Sequence, residues 1–337
     1  MQTSVIGFPR IGTLRELKFA SEKYFKKEIS EKELLQTGKE LRVTHWNTQK
    51  QAGIDYISCN DFSYYDMVLD TVVLFNLIPK RYKELNLSDL DTYFAMARGY
   101  QGARGDVKAL AMKKWFNTNY HYIVPEIEDD MQIILAGNKP FAEYKEAKAL
   151  GIETKPVVIG AYTLLKLCRY TGKKTLKDIA GSVAKAYQEF LHSCEEIGIP
   201  WIQFDEPSLV QDMDQEAISL FQQLYDSILS DKRNCHVLLQ TYFGDVRDIY
   251  QELLTMPFDG IGLDFIEGKK TASLIEAYGF PQDKRLFAGV INGKNIWKNH
   301  YEPTLRMVKT LQAKNIQCVL STSCSPVSYT HLTLPTI

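Results

Sequence analysis

No run of apolar residues in this chain is long enough to span a bilayer, and no basic segment followed by an apolar stretch opens it. A membrane partner and a secretory route are therefore not expected, and the reading is a cytoplasmic protein. Charge of one sign is also missing: 40 Lys and Arg stand against 41 Asp and Glu, a net charge of -1. That balance argues against nucleic acid or a membrane surface as a partner, although it leaves room for a local basic patch. Cys59, Cys168, Cys194, Cys235, Cys318 and Cys324 are scattered without a C-x-x-C pair, the pattern of reduced, mostly buried thiols. His45, His121, His192, His236, His300 and His331 are isolated, so no zinc-ligand spacing is visible and no metal is expected in this chain. There is no G-x-S-x-G elbow, no G-x-G-x-x-G after a strand and no Walker loop. A nucleotide cofactor is not expected. Cys59 ends a strand run, but no His or Asn in the sequence pairs with it as a nucleophile requires.

What is present is an ordinary globular composition, 45% hydrophobic and 24% charged over 337 residues. That length suits two domains or one α/β barrel. Short apolar runs at Thr3–Ile6, Tyr56–Asn60, Pro156–Ala161, Trp201–Phe204, His236–Thr241, Gly260–Asp264, Leu286–Ile291 and Cys318–Ser321 predict strands. Helical patterns separate them, at 14–27, 31–52, 62–77, 89–112, 163–170, 175–197, 214–230, 245–255, 269–278 and 298–314. Eight strands alternating with helices predict a (β/α)8 TIM-like barrel spanning 1–325, with an open doubly wound sheet as the alternative. Several strands end in polar residues, as barrel strands do at the rim that carries active sites. Residues 62–150 break the repeat and predict a long helical insertion between strands 2 and 3. Residues 326–337 carry no helix pattern and no cap where a closing helix is due. They read as a foreign tail.

The first strand runs into Gly7-Phe8-Pro9-Arg10-Ile11-Gly12 and a helix opening Thr13-Leu14-Arg15-Glu16-Leu17-Lys18. Thr13 and Glu16 have capping-box spacing, and Arg15 and Lys18 lie three apart, on one helix face. A strand end, a helix start and fixed cations make an anion site; an ordinary capped helix with solvated cations is the alternative. Arg10, Arg15 and Lys18 on this side and Lys113 and Lys114 in the insertion form one patch for a polyanionic ligand if the two segments meet. Among acids, Glu206 with Asp264 or Glu267 offers an acid/base pair across a barrel mouth. The competing reading is that these carboxylates cap helices or pair with Lys and Arg.

Gly7-Phe8-Pro9-Arg10-Ile11-Gly12 with Arg15-Glu16-Leu17-Lys18 resembles the opening of cobalamin-independent methionine synthase. So do Thr44-His45-Trp46-Asn47, Lys114-Trp115-Phe116-Asn117-Thr118-Asn119-Tyr120-His121-Tyr122, Gln203-Phe204-Asp205-Glu206-Pro207, and the run from Leu286 to Trp297. The resemblance covers residues 1 to about 325. It implies two barrels in the complete enzyme, which moves a methyl group from 5-methyltetrahydropteroyl-triglutamate to homocysteine and makes methionine without cobalamin. It implies zinc in the C-terminal barrel, on His, Cys and Glu ligands, where the metal stabilises the substrate thiolate. This chain resembles the N-terminal barrel, whose nearest counterpart of the ligand strand is Leu239-Gln240-Thr241. The resemblance assigns the folate polyglutamate tail to Arg15, Glu16, Leu17, Lys18 and Lys114, and no catalytic residue to this chain. It also implies that this barrel alone is inactive. Two other functions stay open at this point: a stand-alone polyglutamyl-folate-binding barrel, and a barrel hydrolase using Glu206.

Overall fold

The computed structural model describes residues 1–232, 234–295 and 297–326. Eight short parallel strands form one sheet: β1 Gln2–Thr3, β2 Ile57–Cys59, β3 Thr154–Ile159, β4 Trp201–Asp205, β5 His236–Gln240, β6 Gly260–Asp264, β7 Arg285–Ile291 and β8 Gln317–Thr322. From β2 to β8 each pairs with its neighbours in sequence, and β1 lies beside β8. The two ends of the sheet meet at one parallel bridge, Ser4 with Tyr56, where Asp55 and Tyr56 both donate backbone N–H groups to the Thr3 carbonyl at 3.2 and 3.0 Å. The sheet is thus a closed barrel, not an open doubly wound one. The first strand is shorter than the run Thr3–Ile6 suggested, because beyond Ser4 the backbone bonds to side chains: Ile6 N–H donates to Thr322 Oγ1 at 3.2 Å.

The strands are apolar on both faces because helices cover the outside and side chains fill the inside. One inner cluster, Tyr56, Trp201, Leu238, Phe287 and Val319, draws on five neighbouring chain segments. Beside it the interior turns polar. Lys155 Nζ donates to Val5 O at 3.1 Å and to Gln203 Oε1; Gln203 Nε2 donates to Ile6 O at 3.1 Å and to Asp205 Oδ1 at 2.7 Å. Outside, helix Leu176–Ile197 shows the rule for the rest. Thr175 and Asp178 form a capping box, and Ile179, Val183, Tyr187, Phe190, Leu191 and Cys194 put a buried stripe on the sheet at helical spacing.

Between β2 and β3 the chain departs from the plain helical insertion expected. The stretch 89–112 is not one helix. Helix Asp89–Arg98 stops at Gly99, whose φ of 79° suits glycine, and a hairpin of Tyr100–Gly102 with Gly105–Val107 follows. A second hairpin pairs Met112–Lys114 with His121–Ile123. Helix Lys139–Ala149, which periodicity did not mark, returns the chain to β3. Lys139 pins it to the barrel, donating to Asn60 Oδ1 at 2.8 Å and lying 3.3 Å from both Asp70 and Glu143. Of the stretch read as a foreign tail, only Pro326 is described; 327–337 lie outside the described residues.

Candidate functional site at the barrel rim

The loop leaving β1 is held down by Asp61, which accepts from Phe8 N–H at 2.6 Å and from Ser58 Oγ at 2.7 Å. The helix then starts later than expected, at Glu16. The Thr13–Glu16 capping box does not form. Arg15 is the N-cap residue, in the left-handed region at φ 63°, and no side chain caps the helix. The Glu16 carboxylate instead accepts from Leu14 N–H at 3.0 Å, one residue short of the cap position. Arg15 therefore stands outside the helix and does not share a helical face with Lys18. Arg15 is exposed. Lys18 is half-buried, 3.7 Å from Glu22 and over the Phe19 ring. Leu17 is buried with Leu41 and Phe62, so its side chain serves the core.

Lys114 is exposed at the end of the second hairpin, paired with His121. The turn beyond it is tightly built: Trp115 N–H donates to Tyr120 O at 2.7 Å, and Thr118 Oγ1 donates to Trp115 O at 2.6 Å. The two cationic segments meet through Arg10. This buried guanidinium donates to Tyr65 O and lies over the Tyr120 ring, 5.9 Å from its centroid. Tyr120 in turn donates its hydroxyl to Asp66 Oδ1 at 2.6 Å, while Asp66 Oδ2 accepts from Leu69 and Ile123 N–H groups. Burial pushes the Asp66 carboxyl up to about 6, against the pull of those bonds and of Arg10.

The other candidates are occupied. Glu206 is fully buried and caps helix Ala161–Leu167: it accepts from Tyr162 N–H at 2.9 Å, Thr163 N–H at 2.7 Å and Tyr225 OH at 2.6 Å. Burial raises its carboxyl to about 7. Asp264 accepts from the backbone N–H groups of Phe243, Ile266 and Glu267, and burial followed by the nearby Glu267 raises it to about 6. Glu267 forms an ion pair with Lys294 at 2.6 Å and accepts from Asn117 Nδ2 at 2.8 Å. These groups are helix caps, turn caps and ion pairs, as the competing reading of the sequence had it, and the acid/base pair of a hydrolase is not formed. Asp205, up to about 7 through burial, is enclosed by Gln203 and Tyr242. The Cys59 thiol is buried and pushed well above its ordinary value, which removes it as a nucleophile.

Among the described residues no three His, Cys, Asp or Glu side chains gather as a metal-ligand set. At the strand end where the resemblance put the counterpart of the ligand set, Gln240 Nε2 donates to Thr241 O and Thr241 Oγ1 to Gly262 O. An amide and a hydroxyl tied to backbone carbonyls do not fit zinc. No described helix is long and apolar enough to cross a membrane.

The fold thus defines a (β/α)8 barrel whose rim carries the exposed Arg15 and Lys114. The model of the cobalamin-independent synthase N-terminal domain matches residues 2–316, and the chain belongs to that family. It is 56% identical over 325 residues to a 5-methyltetrahydropteroyltriglutamate–homocysteine methyltransferase of Streptococcus suis, covering 96% of this chain and 43% of that protein. It is 55% identical, with the same coverage, to the protein of that name in Campylobacter jejuni subsp. doylei. The chain therefore spans less than half the length of these relatives. A putative vitamin-B12 independent methionine synthase from Listeria monocytogenes shares the fold, with a TM-score of 0.68 at 15% identity over 96% of this chain and 91% of that one.

Proposed function

We propose that this barrel holds the glutamate tail of 5-methyltetrahydropteroyl-triglutamate for a methyltransferase that methylates homocysteine to methionine. The observation that carries the reading is the contact of Arg10 with Tyr65 and Tyr120, which joins the segment of Arg15, Glu16, Leu17 and Lys18 to the hairpin of Lys114. A triglutamate presents several carboxylates along a flexible chain, and cations on two separate elements suit it better than one cluster does. In this reading the homocysteine site and a zinc ion, which would stabilise the thiolate of the methyl acceptor, belong to the part of the relatives that this chain does not span. That part, a C-terminal barrel, is its partner. All six cysteines are free thiols, which suits a reducing cytoplasm.

Titration of this chain with 5-methyltetrahydropteroyl tri- and monoglutamate tests the reading. Triglutamate is expected to bind more tightly, and its binding to weaken as salt rises. Arg15→Ala and Lys114→Ala are each expected to lower triglutamate affinity by about twofold to fivefold, the scale of one exposed charge contact. Equal affinity for the two ligands, or indifference to salt, would overturn it.

A further inference from the structure

Arg10 is the least explained cation of the rim. It is 3% exposed, and beside the Tyr65 carbonyl its guanidinium faces the Tyr120 side chain. A buried guanidinium is costly to keep for stability alone, and the best-attested use of such groups is to fix one element against another. Its surroundings match that use. Its Nη2 donates to the carbonyl of Tyr65, the residue before Asp66, which caps helix Met67–Leu74 through Leu69 N–H at 2.9 Å. Its Cζ lies 5.9 Å from the centroid of the Tyr120 ring, and the Tyr120 carbonyl closes the turn with Trp115, next to Lys114. The same turn is held on its other side by Asn117, bonded to Glu267 at 2.8 Å and to Lys294 at 2.6 Å, and by Phe116 packed on Phe243 at 5.9 Å. Phe116 and Phe243 both have positive φ, 48° and 75°, a conformation that bulky residues hold only where their surroundings impose it.

We infer that Arg10 is a positioning residue that sets the spacing between Arg15 and Lys18 on one segment and Lys114 on the other, and thereby sets the preference for a long glutamate tail. It does so without touching the ligand. This inference rests on the tail-binding reading above. Arginine suits the task because its fork donates to a carbonyl while its cationic carbon lies against a ring; a lysine at this place keeps the charge and loses that geometry.

The test is a double-mutant cycle on the full chain with Arg10→Lys and Lys114→Ala, read by titration with the tri- and monoglutamate folates. Arg10→Lys is expected to lower the ratio of triglutamate to monoglutamate affinity by about twofold to fivefold, no more than Lys114→Ala itself, with the salt dependence unchanged because the charge is kept. In the Lys114→Ala background the same substitution is expected to change triglutamate affinity by less than about twofold, since its effect runs through Lys114. Equal losses in both backgrounds, or an unchanged ratio in a variant that keeps the wild-type circular dichroism, would overturn the inference. Hydrogen exchange on the unmodified protein provides a readout that no folding defect can obscure. Triglutamate is expected to slow exchange together in residues 8–15 and 112–123, and protection of only one of the two segments would also overturn it. If the wild-type chain shows no preference for triglutamate, the tail-binding reading fails, a different result from a preference that survives at Arg10→Lys.

Discussion

Lys294 Nζ stands 2.6 Å from Glu267 Oε1 and donates to Asn117 Oδ1 at the same distance, so one ammonium ties the loops after β6 and β7 to a hairpin that enters between β2 and β3. It also lies 4.6 Å from the centroid of the Phe243 ring. The pair is mostly shielded, with side-chain exposures of 13% for Lys294 and 29% for Glu267. Lys294→Met is expected to leave global stability within about 2 kcal/mol of wild type, the scale of a charged hydrogen bond. Hydrogen exchange in residues 115–120 is expected to speed up. Unchanged exchange there would show that the turn is held by its own bonds alone.

Glu206 sits under the start of helix Ala161–Leu167, and a Cβ added at Gly160 would stand 2.3 Å from its carboxylate. Gly160→Ala is therefore expected to displace the cap and destabilise the barrel by about 1–3 kcal/mol, the usual range for overpacking. Glu206→Ala is expected to cost about 3 kcal/mol or more, because it leaves two backbone N–H groups and the Tyr225 hydroxyl buried without an acceptor. Urea denaturation measures both. A Glu206→Ala variant as stable as wild type would return this carboxylate to the list of functional candidates.

Burial holds several carboxyls above their ordinary values: Asp66 and Asp264 at about 6, Asp205 and Glu206 at about 7, and Glu143 also raised. Raised carboxyl values mean that the folded state binds more protons than the unfolded one. Their contribution to stability is full below about pH 4 and is lost as pH rises through 6 to 7. Lys155, lowered to about 8 by burial, acts in the opposite sense: its contribution is present above its ordinary value of 10.5 and is lost as pH falls through 8. Between pH 5 and 7 the carboxyls lower stability as pH rises, while the buried His45, lowered from its ordinary value by burial, acts in the opposite sense. Glu206→Gln, neutral at every pH, is expected to flatten the fall in stability over that window, as read by chemical denaturation at stepped pH. A slope unchanged from wild type would mean that Glu206 does not titrate there.

Supplied with zinc, homocysteine and 5-methyltetrahydropteroyl-triglutamate, this chain alone is expected to form no methionine, because the proposed function puts the zinc and homocysteine sites in the part of its relatives that it does not span. Mass spectrometry of the product decides it. Turnover would place a complete active site on this barrel and overturn the division of labour proposed above.

The barrel strands are legible in the sequence because each is buried on both faces and stands out as a short apolar run between helical patterns; β6 even keeps its predicted limits, Gly260–Asp264. The hairpin of Tyr100–Gly102 with Gly105–Val107 is not legible, since its strands are three residues long and largely exposed, without apolar alternation. Helix starts were harder. Thr13 and Glu16 have the right spacing for a cap, but Arg15 takes the left-handed conformation and begins the helix later than local preference suggests.

For the site, residue type and local order are matters of sequence: cations after β1, a lysine before an aromatic run, carboxylates at strand ends. Which of these act together is decided by contacts between distant parts of the chain. Glu206 became a cap because the N–H groups of Tyr162 and Thr163, 44 and 43 positions away, turn toward it. Arg10 is buried because the loop after β1 packs against Tyr65 and Tyr120 of the insertion. Periodicity records which face of an element is buried. It carries no record of what lies across from that face, and that opposing surface decides whether a charged side chain caps, pairs or binds.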